Sequence, residues 1–170
     1  LSFDGAKEVG VEFYSLSKSF NLTGARISFV VGNKQIINKL KVFRSQIDYG
    51  VFLPVQYAAI AALTGPLDVV EEQRQEYEKR NKMLCGGLRS IGWDVPDSQG
   101  TMFVWAKIPG KYKSSVEFCL DLMEKTGVIV TPGNAFGSRG EGYVRMALVV
   151  GEETISELLS VLEESNIFSK

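Results

Sequence analysis

Downstream of Asn33 the apolar residues Ile36, Leu40, Phe43 and Ile47 follow 4-3-4 spacing, which predicts an amphipathic helix with Asn33 as its N-cap. The next stretch, VQYAAIAAL, is apolar on nearly every face and predicts a buried helix opened by Pro54 and closed by Gly65-Pro66. A third, longer helix begins near Leu67, with Val70, Tyr77, Leu84 and Ile91 at seven-residue intervals and Leu88 added. Its other face pairs Glu76 with Arg80 and Glu78 with Lys82 at i,i+4, as a solvated face does. A coiled coil is the sharper alternative; a short seam and the Gly86-Gly87 pair stand against it.

Strand patterns flank these helices. Val9 to Ser17 reads as an extended segment with Val9, Val11, Phe13 and Ser15 on one side, and Ile27 to Val31 as a short buried strand. After Gly92, TMFVWAKI reads as a strand closed by Pro109-Gly110. Ser114 and Glu117 form a capping-box signature for a helix running to Gly127 as its C′ residue. Val128 to Val130 and Tyr143 to Val150 read as strands, and a last helix from about Glu152 buries Ile155, Leu158, Leu159 and Leu162. Strands and helices alternating in this way predict an α/β or α+β layer, with a domain boundary inside the long helix between Leu67 and Ile91. There is no internal repeat and no low-complexity segment.

Composition narrows the function classes. The chain has 170 residues, 45% of them hydrophobic, enough for about one domain or one and an attached piece of another. A formal net charge of −1 without a basic run gives no electrostatic reason to expect nucleic acid. No apolar stretch approaches the roughly 20 residues of a membrane span, and the default is a cytosolic protein without a membrane. Cys85 and Cys119 lack any C-x-x-C pattern and read as inert core thiols, so neither a disulfide framework nor a metal site is expected. Histidine is absent, which excludes a Ser-His-Asp triad or Cys-His pair within the chain and leaves lysine, carboxylates and tyrosine for proton transfer.

Chemistry concentrates in YSLSKSFNLTGARISFVVG, Tyr14 to Gly32. Lys18 lies between serines, Gly24 makes a turn, and Arg26 precedes an apolar run. Serine hydroxyls and a guanidinium suit a phosphate, and a lysine beside them can form an imine with an aldehyde. A lone lysine is most simply a solvated loop residue; Ser15, Ser17 and Arg26 together turn the reading toward Schiff-base chemistry with a phosphorylated aldehyde cofactor. Arg145, inside the apolar run YVRMALVV, has three readings: a structural ion pair, an edge-strand arginine reaching solvent, or a ligand site. The glycine-rich TPGNAFGSRGEG, Thr131 to Gly142, lacks Gly-Lys-Ser/Thr and Rossmann spacing, and reads as a flexible connection or a phosphate cradle.

Ser15-Leu16-Ser17-Lys18 followed by Gly24, Arg26 and a strand resembles the cofactor-lysine segment of the class I/II, fold type I, pyridoxal-phosphate aminotransferases. Ser28 stands where that family usually has glycine. Thr131 to Gly142 is similar to the family's P-G-x-x-F-G segment, QGTMFVWAKIP to the strand that opens its small domain, and IDYGVFLPVQ to its aspartate and LL-diaminopimelate branch.

The resemblance implies an α/β fold, the C-terminal part of a PLP-dependent transferase: residues 1–66 end the large domain, 67–91 form an interdomain helix, and 92–170 form a small α+β domain. It implies transamination between an amino acid and a 2-oxo acid through a pyridoxal 5′-phosphate Schiff base on Lys18, with Ser15, Ser17 and Arg26 binding the cofactor and Arg145 the substrate α-carboxylate. A cytoplasmic homodimer is implied for the full-length form. Groups that hold the pyridine ring lie upstream of the lysine in that family, so the chain is expected to be a fragment with half the site and little activity of its own. The alternative is a cofactor-sensing, aminotransferase-like domain of a transcription regulator.

Overall fold

The computed structural model describes residues 1–168. The chain divides into two compact units, Leu1–Glu72 and Gln73–Lys170, and the division falls inside the long helix.

In the first unit a helical turn, α1 (Ala6–Val9), leads into β1 (Val11–Ser15). β1 pairs antiparallel with β2 (Ser28–Gly32), Val11 opposite Gly32 and Ser15 opposite Ser28. The connection between them carries a second helical turn, α2 (Leu16–Ser19), and a 3-10 turn, Thr23–Ala25. Val9 and Ser17 therefore leave the extended segment expected for them, because each belongs to a short helical turn at one end of the strand.

Asn33 caps α3 (Lys34–Ser45) as expected: its Oδ1 accepts the N–H groups of Gln35 and Ile36 at 2.9 and 3.0 Å. α4 (Leu53–Thr64) follows, with Pro54 in its first turn. The expectation of a buried α4 does not hold in this structure. Only Ala59 is buried, while Tyr57, Ile60 and Leu63 are exposed, because no second layer covers the helix within its unit. α3 likewise buries none of its residues, and β2 is not the buried strand expected, with Phe29 and Val31 both exposed.

The second unit contains the hydrophobic core. α5 (Asp68–Ser90) runs through Gly86-Gly87 without a break. A Cβ on Gly87 would lie 2.3 Å from a methyl of Leu159, so glycine there lets the last helix approach. Leu84 and Leu88 are buried in the unit's own core, so the heptad-like spacing of α5 reports tertiary packing and not a coiled coil.

A three-stranded antiparallel sheet follows, in the order β3 (Phe103–Lys107), β5 (Tyr143–Ala147), β4 (Thr131–Pro132). Val128 to Val130, expected as a strand, has no ladder pairing, and only Thr131 and Pro132 join the sheet. α6 (Ser115–Thr126) has the expected caps, Ser114 at its start and Gly127, φ 72°, at its end. α7 (Glu152–Glu164) buries Ile155 and Leu162.

Strand alternation gives this sheet two unlike faces. Val104, Ala106, Val144 and Met146 point into the core with Phe118 and Leu122 of α6. Phe103, Trp105, Tyr143 and Arg145 share the other face. Trp93 stacks on Phe168 at 4.7 Å and donates its indole N–H to the Lys107 carbonyl at 2.8 Å.

Cys85 is a core cysteine as expected, whereas Cys119 is only partly buried against the core. Cys85 is buried and its Sγ donates to Asn81 Oδ1 at 3.2 Å, and burial pushes the pKa of both Cys85 and Cys119 up. Among the described residues no group of Asp, Glu or Cys is placed to hold a metal, and no single helix is long and apolar enough to cross a membrane.

Candidate active site

Lys18 is presented by a segment pinned at one apolar point. Leu16, 3% exposed, is the only buried residue of α2, and its carbonyl accepts the N–H groups of Phe20 and Leu22, both at 3.2 Å. The serines and charged residues around it stay at the surface because this one side chain anchors the turn. Lys18 occupies the last turn of α2 and is exposed, so the sequence's reading of it as a loop lysine becomes a lysine on a single helical turn.

Hydrogen bonds tie the predicted cofactor residues together. Ser15, in extended conformation, caps α2: its Oγ accepts the Ser17 N–H at 3.2 Å and donates to Ser17 Oγ at 3.0 Å. Thr23 Oγ1 donates to the Ser17 carbonyl at 3.0 Å, and Arg26 Nη1 donates to the Thr23 carbonyl at 3.1 Å. Thr23 thus links the serine end of the segment to its arginine end, a role the sequence reading missed. A threonine directly before the Gly24-Ala25 pair, three residues ahead of Arg26, was its only signal.

Arg26 adopts φ 50° and ψ 42°, left-handed backbone that is unfavourable for a side chain with a Cβ. This conformation puts the guanidinium back over the turn. Among the described residues no carboxylate pairs with it.

Arg145 lies in the second unit, on the central strand β5, opposite Trp105 of β3 and Thr131 of β4. That position removes the edge-strand reading of this arginine. The ion-pair reading finds no support either, since among the described residues no carboxylate pairs with it. Its guanidinium carbon lies over the rings of Phe103, at 4.3 Å, and Phe136, at 4.4 Å. These two phenylalanines were also missed; alternation along β3 puts Phe103 on the face of Arg145, but nothing in the pattern locates Phe136.

Phe136 comes from the glycine-rich loop, which is not a flexible link. It folds as two 3-10 turns, Gly133–Phe136 and Ser138–Gly140, that cross with backbone against backbone at Gly133 and Gly140. Glu141 fastens its end: Oε1 accepts the Ser115 N–H at 2.6 Å and the Gly142 N–H at 3.0 Å, and these donors lower its pKa. Buried Ser115 adds Oγ as acceptor for the Gly142 and Tyr143 N–H groups. Gly137, Gly140 and Glu141 donate their N–H groups to carbonyls within the loop and Gly142 donates to Ser115 and Glu141, so these four N–H groups do not support the phosphate-cradle reading.

The family described as aminotransferase class I and II matches residues 3–162. The chain belongs to this family. An LL-diaminopimelate aminotransferase of Halothermothrix orenii is 49% identical over 167 residues, covering 98% of this chain and 43% of the relative. The glutamate-pyruvate aminotransferase AlaC of Escherichia coli is 43% identical over 157 residues, covering 91% of this chain and 38% of AlaC. Among solved structures, apo BacF from Bacillus subtilis superposes with a TM-score of 0.92 at 36% identity, over 98% of this chain and 43% of BacF. The chain therefore carries a mixed α/β part of the aminotransferase fold and spans about 43% of the length of such relatives.

Proposed function

We propose that this chain contributes the cofactor lysine and the substrate-binding arginine of an aminotransferase that moves an amino group between an amino acid and a 2-oxo acid. The observation that carries this reading is the hydrogen-bonded run from Ser15 through Ser17 and Thr23 to Arg26, which gathers two hydroxyls and a guanidinium around the turn bearing Lys18. That donor set fits pyridoxal phosphate: hydroxyls and a guanidinium for its phosphate, an amine for its aldehyde. When bound, the cofactor supplies an electron sink for charge that develops at the substrate Cα.

The protein residues divide the remaining work. Ser15, Ser17 and Arg26 hold the phosphate and so fix the ring. Lys18 takes the proton from the substrate Cα and returns it two atoms along, on the far side of the substrate nitrogen; its flexible stem reaches both positions, and an amine works as base in its neutral form. Arg145 takes the α-carboxylate bidentately and so fixes the orientation of the substrate. The activity is assigned to the fold at its full length, as a cytoplasmic homodimer, because this chain spans less than half of the relatives it matches.

The relative from Halothermothrix orenii makes LL-diaminopimelate the first donor to test and AlaC makes glutamate the second. The test is a chimera in which this chain replaces the matching segment of the Halothermothrix orenii enzyme, assayed with each donor. The expected result is turnover with at least one donor that Lys18→Ala lowers by about a thousandfold, the scale of a lost general base. A chimera that folds and takes up pyridoxal phosphate yet transaminates neither donor contradicts the reading.

A further inference from the structure

Arg145 carries no carboxylate partner among the described residues, and a long side chain left to itself samples many rotamers. Two phenyl rings meet its cation, one from each side of β5: Phe103 on β3 and Phe136 from the turn after β4. Rings occupy the faces of a guanidinium while its N–H donors point from its edge, so ring contact and carboxylate binding use different parts of the group.

The ring of Phe136 is itself held. Trp105 meets it edge-on at 5.8 Å, and Tyr143 stacks on Trp105 at 5.6 Å with an interplanar angle of 15°. Beneath them the crossing of Gly133 and Gly140 sets the turn that delivers Phe136. A Cβ on Gly133 would meet the Gly140 carbonyl oxygen at 2.1 Å and the Trp105 ring at 3.0 Å. Phe136 is nevertheless 51% exposed, so core packing does not account for an aromatic residue there.

We propose that Phe136, with Phe103, is a positioning residue that holds the Arg145 guanidinium edge-out for a carboxylate, and that the glycine-rich loop is built to place that ring. The proposal rests on the reading of Arg145 as the carboxylate anchor. The rings also exclude water from the faces of the cation, which strengthens the charge pair formed at its edge.

The test uses this chain and a simple acid. The Nε–H signal of Arg145, assigned by its loss in Arg145→Lys, is followed by NMR during titration with propionate at constant ionic strength. In the wild type the signal shifts saturably. Phe136→Leu, which keeps an apolar side chain but removes the π face, weakens propionate binding by about fivefold and speeds rotation of the guanidinium; Phe136→Tyr restores both. Unchanged amide signals for Phe118 and Leu122 report an intact core in each variant. Equal affinity in wild type and Phe136→Leu overturns the positioning role while leaving Arg145 as a carboxylate site. No response of Arg145 in the wild type overturns both.

Discussion

Gly133 and Gly140 lie backbone to backbone: a Cβ on Gly133 would be 2.1 Å from the Gly140 carbonyl oxygen, and one on Gly140 would be 2.0 Å from the Gly133 carbonyl oxygen. Neither backbone can shift without moving β4 or β5. Alanine at either position is expected to destabilise the second unit by about 1–3 kcal/mol, the range for inserting a methyl into a closed contact. Gly110→Ala, with nothing within 4 Å of its Cβ, serves as the neutral comparison in denaturant unfolding.

Adjacent glycines in α5 are expected to respond with opposite sign. Gly86 has open space at its Cβ, and alanine there gains helix propensity of up to about 1 kcal/mol. Gly87→Ala meets Leu159 and costs about 1–3 kcal/mol instead. Midpoints of chemical unfolding for the two variants check this.

Of the fold, the second unit was legible where local rules and burial agree. Ser114, Glu117 and Gly127 mark α6 because caps are local hydrogen-bond chemistry, and alternation marks β3 and β5 because one face packs on α6. The apolar run before Thr131 misled, since Val128 to Val130 satisfies strand composition without a neighbour to pair with. α4 misled in the other direction: its all-apolar composition reports a need for burial, and burial depends on layers that its own unit does not supply. At the candidate site, the grouping of Ser15, Ser17 and Arg26 beside Lys18 follows from one compact motif, whereas Phe136 over Arg145 depends on a loop crossing that no spacing encodes.

Glu141 ties the loop to α6 through an ionised carboxylate. The N–H groups of Ser115 and Gly142 hold its pKa below the ordinary 4.5, so its contribution is present above that value and is lost as pH falls through the lowered folded pKa. The wild type is expected to lose stability on acidification below about pH 4.5. Glu141→Gln should flatten that acid limb, as read from unfolding midpoints across pH 3 to 6, roughly the range of carboxylate titration.

Backbone strain at Arg26 separates stability from function. Its φ of 50° suits glycine, so Arg26→Gly is expected to leave stability unchanged or raise it by up to about 1 kcal/mol. The same substitution removes the guanidinium, so retention of pyridoxal phosphate should fall by about tenfold or more. Thermal unfolding and cofactor titration of the one variant check both halves.

The most direct measurement is to add pyridoxal phosphate to the chain, reduce with borohydride and map the modified peptide by mass spectrometry. The account predicts a label concentrated on Lys18 and lost in Arg26→Ala. A label spread evenly over the chain's lysines, unaffected by that substitution, contradicts the assignment of Lys18, Ser15, Ser17 and Arg26 to one cofactor site.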